Sequence, residues 1–222
     1  VQHSPRMNAV IADYERAVRQ RNTLLKARAP QSSISPWDEH LSNFGSQVLA
    51  ARIGIIEALQ PFFTASYSAI SSKKNAFIGY KSSIDNPTKS SNENSELILA
   101  KIKELSTQER DRGVSLVGPH RDDLLLNLGN QPVKGYASHG ESWSIALALR
   151  LASYELLREG GSQPILILDD VFSELDEARR HQLSEVIEAA EQTFITVAVE
   201  NDLPEGIKGT KFLVSSGTVR AL

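Results

Sequence analysis

The 222-residue chain has no cysteine. Disulfides and thiolate metal sites are therefore excluded, which fits a reducing cytosol. Long apolar runs are scarce as well. No stretch approaches the ~18 consecutive apolar residues of a membrane span, and the N-terminus lacks an apolar leader region, so no membrane role is expected. Net charge is only -3, so bulk charge offers no support for a polyanion-binding domain. No initiator methionine precedes Val1, and the chain starts on the approach to a helix, as a piece of a longer protein would. There is no internal repeat. The rest is ordinary: 41% hydrophobic and 23% charged residues can bury a sizeable core.

The charge is unevenly placed. Residues 1–30 hold six basic residues, Arg6, Arg16, Arg19, Arg21, Lys26 and Arg28, against Asp13 and Glu15, a net of +4. Residues 169–205 hold eleven acids against Arg179 and Arg180, a net of -9. One end could meet a polyanion and the other a cation or basic partner; two solvated helix faces would carry the same pattern.

Met7, Val10, Tyr14, Ala17, Arg21 and Leu24 recur at spacings of three and four, which predicts a helix over residues 6–28, ended by Pro30. Ser35-Pro36-Trp37-Asp38 predicts the next start, with Ser35 as N-cap, Pro36 in the first helical position and Asp38 returning to the cap amide. Trp37, Leu41, Phe44, Val48, Ala51, Ile55, Ala58 and Phe62 then keep 4-3 spacing, a heptad seam. The expectation is an antiparallel helical-hairpin arm over residues 1–72 that projects from the rest. Residues 73–112 predict a strand at Ala76–Tyr80, a long polar surface loop, and a helix over 96–112. That helix presents Leu97, Ile98, Ile102 and Leu105 on one face and a charged, solvated end from Glu104 to Arg112.

Residues 113–222 read as a third unit. Val114, Leu116 and Val117 suit a short strand. G-P-H-R-D-D follows as a polar loop, where His120 and Arg121 could simply form a turn salt-bridged to Asp122 or Asp123. Leu124–Leu128 and Val133–Tyr136 predict a hairpin about Gly129-Asn130. Ser138-His139-Gly140-Glu141 then precedes a helix, Ile145 to Leu157, that is apolar on nearly every side. Ser138 and Glu141 have the spacing of a capping box. The same hydroxyl, glycine amide and helix N-terminus also suit a phosphate, and the two readings are compatible.

Gln163 to Asp176 reads Q-P-I-L-I-L-D-D-V-F-S-E-L-D. Ile165 to Leu168 is too short for a helix and suits a strand buried on both faces. Asp169 and Asp170 follow at once. Ligands of open α/β sheets bind just outside the carboxyl ends of strands, and an acid pair there can hold Mg²⁺ and orient a water. The plainer reading is a pair of acids opening the next helix. That helix, to about Ala190, and a buried strand over Thr193–Val199 complete a right-handed βαβ crossover. A hairpin turning at Ser215–Gly217 ends the chain.

S-x-G before a buried helix, then four aliphatics, two acids and S-E-L-D has the order of the second lobe of an ATP-binding-cassette ATPase: signature motif, Walker B, D-loop. L-V-G-P-H-R-D-D-L, S-H-G-E, L-D-D-V-F-S-E-L-D and R-N-T-L-L-K near residue 24 together resemble the RecF family of bacterial recombination-mediator ATPases, over nearly the whole chain. The fold implied is α/β: a signature lobe with a buried, mostly parallel sheet, plus the helical arm. The resemblance implies that Asp169 holds Mg²⁺ and Asp170 polarises the attacking water. Ser138 and Gly140 would cap the γ-phosphate of ATP on a second subunit. Asp176, with Ser173, Glu174 and Leu175, would form the D-loop at the dimer interface. It further implies ATP-driven homodimerisation, an arm that helps hold double-stranded or gapped DNA, other recombination-mediator partners, and a cytoplasmic, nucleoid-associated setting. Arg16, Arg19, Arg21 and Lys26 are the candidate phosphate contacts.

The sequence departs from that pattern at three places. Glu141 and Ser142 stand where the family more often has Gln and a polar or basic pair. Glu200 and Asn201 occupy the place of a switch histidine, which suggests slow hydrolysis. G-x-x-x-x-G-K-[ST] is absent from all 222 residues, so the chain alone is expected to be inactive. The alternative is a non-catalytic coiled-coil interaction module of the SMC type whose acids are only helix caps, although arms of roughly 20 residues reach only about 30 Å.

Overall fold

A computed structural model describes residues 6–71, 74–173, 175, 177–204 and 206–222. Helix α1 (Met7–Lys26) turns back at residues 27–30 into α2 (Gln31–Ile70), a helix of 40 residues. Helix α2 begins five residues before the expected start. Pro30 stands at its N-cap, and the Ser35 hydroxyl donates to the Gln31 carbonyl at 3.0 Å instead of capping. Asp38 does not return to the cap either, because it is taken by Arg21 at 2.6 Å.

The heptad seam is only partly the buried face. Leu41 and Val48 are buried, but Trp37, Phe44, Ala51, Ile55, Ala58 and Phe62 are half-buried, and Ile34, Ser42, Gly45 and Leu49 are buried in their stead. An unsupercoiled helix drifts about 20° per heptad, and α2 is gripped from two sides. Helix α1 packs along one side, close enough that a Cβ on Gly45 would come within 2.9 Å of the Tyr14 ring. Helix α3 (Ser91–Arg112) packs along the other.

The expected pair of α1 and α2 forms, and α3 joins it as a third helix. Tyr14, Ala17, Leu41, Val48, Leu49, Ile98, Ile102 and Val117 form one three-helix core. Phe63, Tyr67 and Ile70, at the other end of α2, belong to a second core with the sheets and two later helices. At 1.5 Å per residue α2 is about 60 Å long and serves as the spine of both. By length and composition alone a window of α2 also passes for a membrane span. Its two ends are anchored in these two cores.

Helix α3 starts at Ser91, five residues ahead of expectation. The Ser90 hydroxyl accepts from the Glu93 amide, and Gly113 closes the helix in the left-handed conformation. Its charged end is largely exposed, as expected, with one exception: Glu109 is completely buried. Strands β1 (Ala76–Lys81), β2 (Asp123–Leu128) and β3 (Gln131–Pro132) form an antiparallel sheet, with Ala76 opposite Leu128 and Lys81 opposite Asp123. The return strand is two residues long and precedes Val133, where the chain turns through Ala137→Val133 and Tyr136→Val133 amide bonds. The expected strand at Val114–Val117 is absent. That segment is pinned by side chains instead of a ladder.

Helix α4 (His139–Glu159) leads to β4 (Leu166–Asp169), which pairs in parallel with β5 (Thr193–Thr196) across helix α5 (Glu177–Ala189). This is the βαβ crossover, but β4 is not buried on both faces. Leu166 and Leu168 point into the core, while Ile167 is 69% exposed opposite Phe194, which is 52% exposed. Strands β6 (Phe212–Ser215) and β7 (Thr218–Ala221) form the terminal hairpin. Its turn has Ser216 at φ 51° and Gly217 at φ 75°, the two positive values a type I′ turn requires. The fold is mixed α/β, and its parallel part among the described residues is the one β4–β5 pair.

Candidate functional site

The N-terminus of α4 carries the expected capping box. The Ser138 hydroxyl accepts from the Glu141 amide at 3.2 Å, and the Glu141 carboxylate accepts from the Ser138 amide at 2.9 Å. The second Glu141 oxygen meets Lys74 Nζ at 2.8 Å. The Lys74 ammonium, followed by the two Ser138 hydrogen bonds, holds the Glu141 carboxyl at about 2. Ser138, His139 and Gly140 are exposed. Gly140 faces α5: a Cβ there would lie 4.0 Å from Arg179 Nη1.

The acid pair lies at the C-terminal end of β4, as expected. Asp169 accepts a short hydrogen bond from the Thr196 hydroxyl on β5. The Asp170 amide donates to the Thr196 carbonyl at 3.1 Å, and the chain then breaks away, with Asp170 in the left-handed region at φ 49°. Aspartate tolerates that region better than most residues. The Ser173 hydroxyl braces the turn, donating to the Asp170 carbonyl at 2.9 Å and to its carboxylate at 3.3 Å. Both carboxylates are exposed. Asp176 and Glu174 lie outside the described residues.

Topology brings these pieces to one end. Tyr154 and Arg158 near the end of α4, Gln163 and Pro164 before β4, and Ala189 to Glu191 at the end of α5 line one cavity of about 340 Å³. At the opposite end, Gly140 in the first turn of α4 faces Arg179 in the first turn of α5, and α5 begins eight residues after Asp169 at the end of β4. An exposed helix N-terminus with a capping hydroxyl and an exposed acid pair can together engage a phosphate and its counter-cation.

The basic candidates divide. Arg16 and Arg19 are exposed on α1, paired with Asp13 at 3.0 Å and Glu15 at 3.6 Å on the same helix. Lys26 is exposed as well. Arg21 is a correction: it is 2% exposed and cannot reach a DNA phosphate. Its Nε donates to Asp38 at 2.6 Å, Nη2 to Glu109 at 2.6 Å and Nη1 to the Ser115 hydroxyl at 2.8 Å. Ser115 is bound to Asn22, and the other Glu109 oxygen accepts the Leu116 amide at 2.6 Å. An arginine within an apolar stripe demands buried partners, and this one ties α1, α2, α3 and the following loop together. The signal was legible: Arg21 falls in the Met7–Leu24 series.

His120 and Arg121 do not pair with Asp122 or Asp123. The Tyr14 hydroxyl lies 2.5 Å from His120 Nδ1, His120 Nε2 faces the Ser115 carbonyl at 3.2 Å, and Arg121 Nε donates to that carbonyl at 2.8 Å. The Ser115 carbonyl can only accept, so Nε2 donates to it, which leaves Nδ1 of the neutral ring, the form that burial favours, to accept the Tyr14 hydroxyl hydrogen bond. Asp122 accepts from the Tyr80 hydroxyl at 2.8 Å and the Ser83 amide at 2.7 Å. Burial pushes Tyr80 up to about 12. The G-P-H-R-D-D loop thus locks the three-helix core to the antiparallel sheet.

No family model matches the chain. It is 47% identical over 227 residues to the DNA replication and repair protein RecF of Streptomyces avermitilis, covering 97% of this chain and 61% of that protein. To the DNA replication and repair protein RecF of Frankia alni it is 43% identical over 235 residues, covering 99% and 62%. A solved structure of the recombination mediator protein RecF-ATPrS in the RecFOR pathway superposes with a TM-score of 0.82 at 25% identity, over 99% of this chain and 59% of that one. The chain therefore spans about three fifths of the length of these relatives.

Proposed function

The chain belongs to the RecF family, and on that premise we propose that it forms the DNA-holding and nucleotide-capping portion of a recombination mediator in DNA repair. ATP drives two copies together on double-stranded DNA near single-strand gaps, and the closed dimer, with other recombination-mediator proteins, helps load recombinase in the bacterial cytoplasm. The observation that carries this reading is the shared end of the layer, where the capped start of α4 and the acid pair after β4 both stand exposed. The relatives are longer than this chain by about two fifths of their length. The apolar outer face of β4–β5, with Ile165, Ile167 and Phe194, suits that remainder, which would carry the phosphate loop.

Among the described residues no cluster of three or more acids or histidines could hold a metal alone. Mg²⁺ is commonly held by one or two carboxylates plus substrate phosphates, so an acid pair fits it. Bound ATP with Mg²⁺ supplies the anhydride to be cleaved and the charge that draws two copies together. Asp169, fixed by Thr196, would be the residue that holds Mg²⁺. Asp170 accepts a hydrogen bond from the attacking water and orients it. From the facing copy, the Ser138 hydroxyl and the first-turn amides of His139 and Gly140, which have no intrahelical acceptor, donate to phosphate oxygens. Asp176 crosses the interface. Arg16, Arg19 and Lys26 contact DNA phosphates.

The test uses the full-length protein. Asp170→Asn is expected to retain ATP binding, hold the dimer closed and slow turnover ~100-fold or more, read by steady-state hydrolysis and sedimentation. Ser138→Arg is expected to abolish ATP-dependent dimerisation. Unchanged turnover in the first variant would remove Asp170 from the mechanism, and normal dimerisation in the second would remove Ser138.

A further inference from the structure

The Ser138 loop contains a carboxylate where a phosphate is to be received. Glu141 sits one turn inside α4, its charge directed at the same helix terminus that attracts anions. The structure supplies a counter-charge from a distant part of the chain. Lys74 follows the end of α2 at Ser71 and precedes β1, 67 positions from Glu141 in sequence, yet its ammonium lies 2.8 Å from Glu141 Oε1. The other carboxylate oxygen accepts the Ser138 amide at 2.9 Å, and the Glu141 amide returns to the Ser138 hydroxyl at 3.2 Å. Lys74, Glu141 and Ser138 thus form one continuous hydrogen-bonded chain that ends at the capping hydroxyl.

We propose that Lys74 is a positioning residue for ATP-dependent dimerisation: it neutralises Glu141 and holds it against the Ser138 amide, so that the start of α4 can accept the phosphates of a nucleotide on a second copy. This rests on the capping role of Ser138 proposed for the facing copy and names a residue which that role did not need. Burial and composition do not explain the pair. Lys74 is half-exposed, at 52%, and its partner has its cap already satisfied by Ser138. A surface ion pair of this kind adds little to stability. Its effect is on charge: with Lys74 present the pair sums to zero, and without it the loop presents an uncompensated carboxylate to an incoming polyanion. The depressed Glu141 pKa means that this carboxylate stays ionised throughout the neutral range. Lys74 also lines, with Tyr136, Ala137, Gln131 and Glu141, a shallow cavity of about 300 Å³ beside the loop.

The experiment measures the ATP concentration for half-maximal dimerisation of the full-length protein, by sedimentation at low salt, with thermal melting as a control for folding. Lys74→Ala is expected to raise that concentration about tenfold, the scale of one uncompensated charge a few ångströms from a phosphate in partly wet surroundings. Lys74→Arg keeps the charge and is expected to stay within about twofold of the parent. Lys74→Ala combined with Glu141→Gln removes both charges while Gln still serves the capping box, and is expected to recover to within roughly threefold. An unchanged ATP requirement in Lys74→Ala, or a double variant no better than Lys74→Ala, overturns the proposal. Ser138→Arg, run in parallel, separates the two levels. If it blocks dimerisation while Lys74→Ala does not, only the role of Lys74 fails. If it dimerises normally, the reading of the loop itself fails.

Discussion

Replacing Arg21 by methionine tests whether the residue is an internal brace or a DNA contact. Methionine keeps most of the length and the apolar stem and removes the charge and all donors. Arg21 is 2% exposed and Glu109 is fully buried. The substitution deletes three short hydrogen bonds, two of them to carboxylates at 2.6 Å. Asp38, at the rim, can turn toward water. Glu109 cannot; it keeps only the Leu116 amide at 2.6 Å. Removing one partner of a buried ion pair costs about 3–5 kcal/mol, most of it from the charge left behind. A domain of this kind has a total stability of roughly 5–15 kcal/mol, so the loss is a large fraction of the whole. At this chain length it corresponds to a fall in Tm on the order of 10 °C. Urea unfolding followed by far-ultraviolet circular dichroism measures it. Adding Glu109→Gln removes the stranded charge and is expected to recover about 1–2 kcal/mol, a coupling that independent sites would not show. A loss below about 1 kcal/mol, the range of surface pairs, would refute the argument. So would weakened DNA binding at full stability, because that would return Arg21 to the surface.

Two further outcomes are expected. Reversing the charge at Arg16, Arg19 and Lys26 together should weaken duplex binding without regard to sequence and flatten the salt dependence, by about 0.9 in the log–log slope for each phosphate no longer neutralised; an unchanged slope would exclude α1 from the DNA surface. Burial lowers the His120 pKa below the ordinary histidine value, so the unfolded chain binds the proton more readily. Stability is then full above the unfolded value of about 6.5 and falls as pH drops below it. Urea midpoints between pH 7.5 and 5.5 should show this decline, and His120→Gln should flatten it.

Much of this molecule was legible from local chemistry, because some signals depend only on neighbours in sequence. Ser138 with Glu141 three residues later is such a signal, and the capping box formed as read. The turn at Ser216-Gly217 and the crossover from β4 to β5 are others. What failed depended on distant partners. A polar run such as S-N-E-N-S looked like loop, yet Ser90 caps it and Asn94 is buried, bonded to Thr88 at both ends of its amide. Within the charged stretch Glu104–Arg112, the burial of Glu109 could not be seen because its partner, Arg21, is 88 residues away. The Val114–Val117 segment has strand composition, but Asn22 and Glu109 satisfy its amides before any strand can. Lys74 left no local sign at all, since its meaning comes from a carboxylate 67 residues downstream.

The reading of Ile165–Leu168 as a doubly buried strand fails in a way that bears on function. Four consecutive aliphatics belong in the middle of a sheet with both faces covered, yet in this chain β4 covers one face only, and Ile167 stands 69% exposed beside Phe194. The hairpin β6–β7 repeats the pattern with Phe212, Val214 and Val219, each more than half exposed. Isolated apolar residues at a surface need no explanation, but two adjoining strands with matched apolar outer faces do. Strand β4 has the composition of a strand covered on both faces, and among the described residues one face is covered. About two fifths of the length of the relatives lies outside the part that this chain matches. A single account then covers both facts: the sheet is completed by that remainder, and the acids at the end of β4 are positioned by strands on either side. On this account the remainder, added as a separate polypeptide, should protect the amides of β4 and β5 from hydrogen exchange while leaving α1 and α3 unchanged. Protection confined to α1 would place the docking surface elsewhere and leave the exposed aliphatics of β4 without a physical reason.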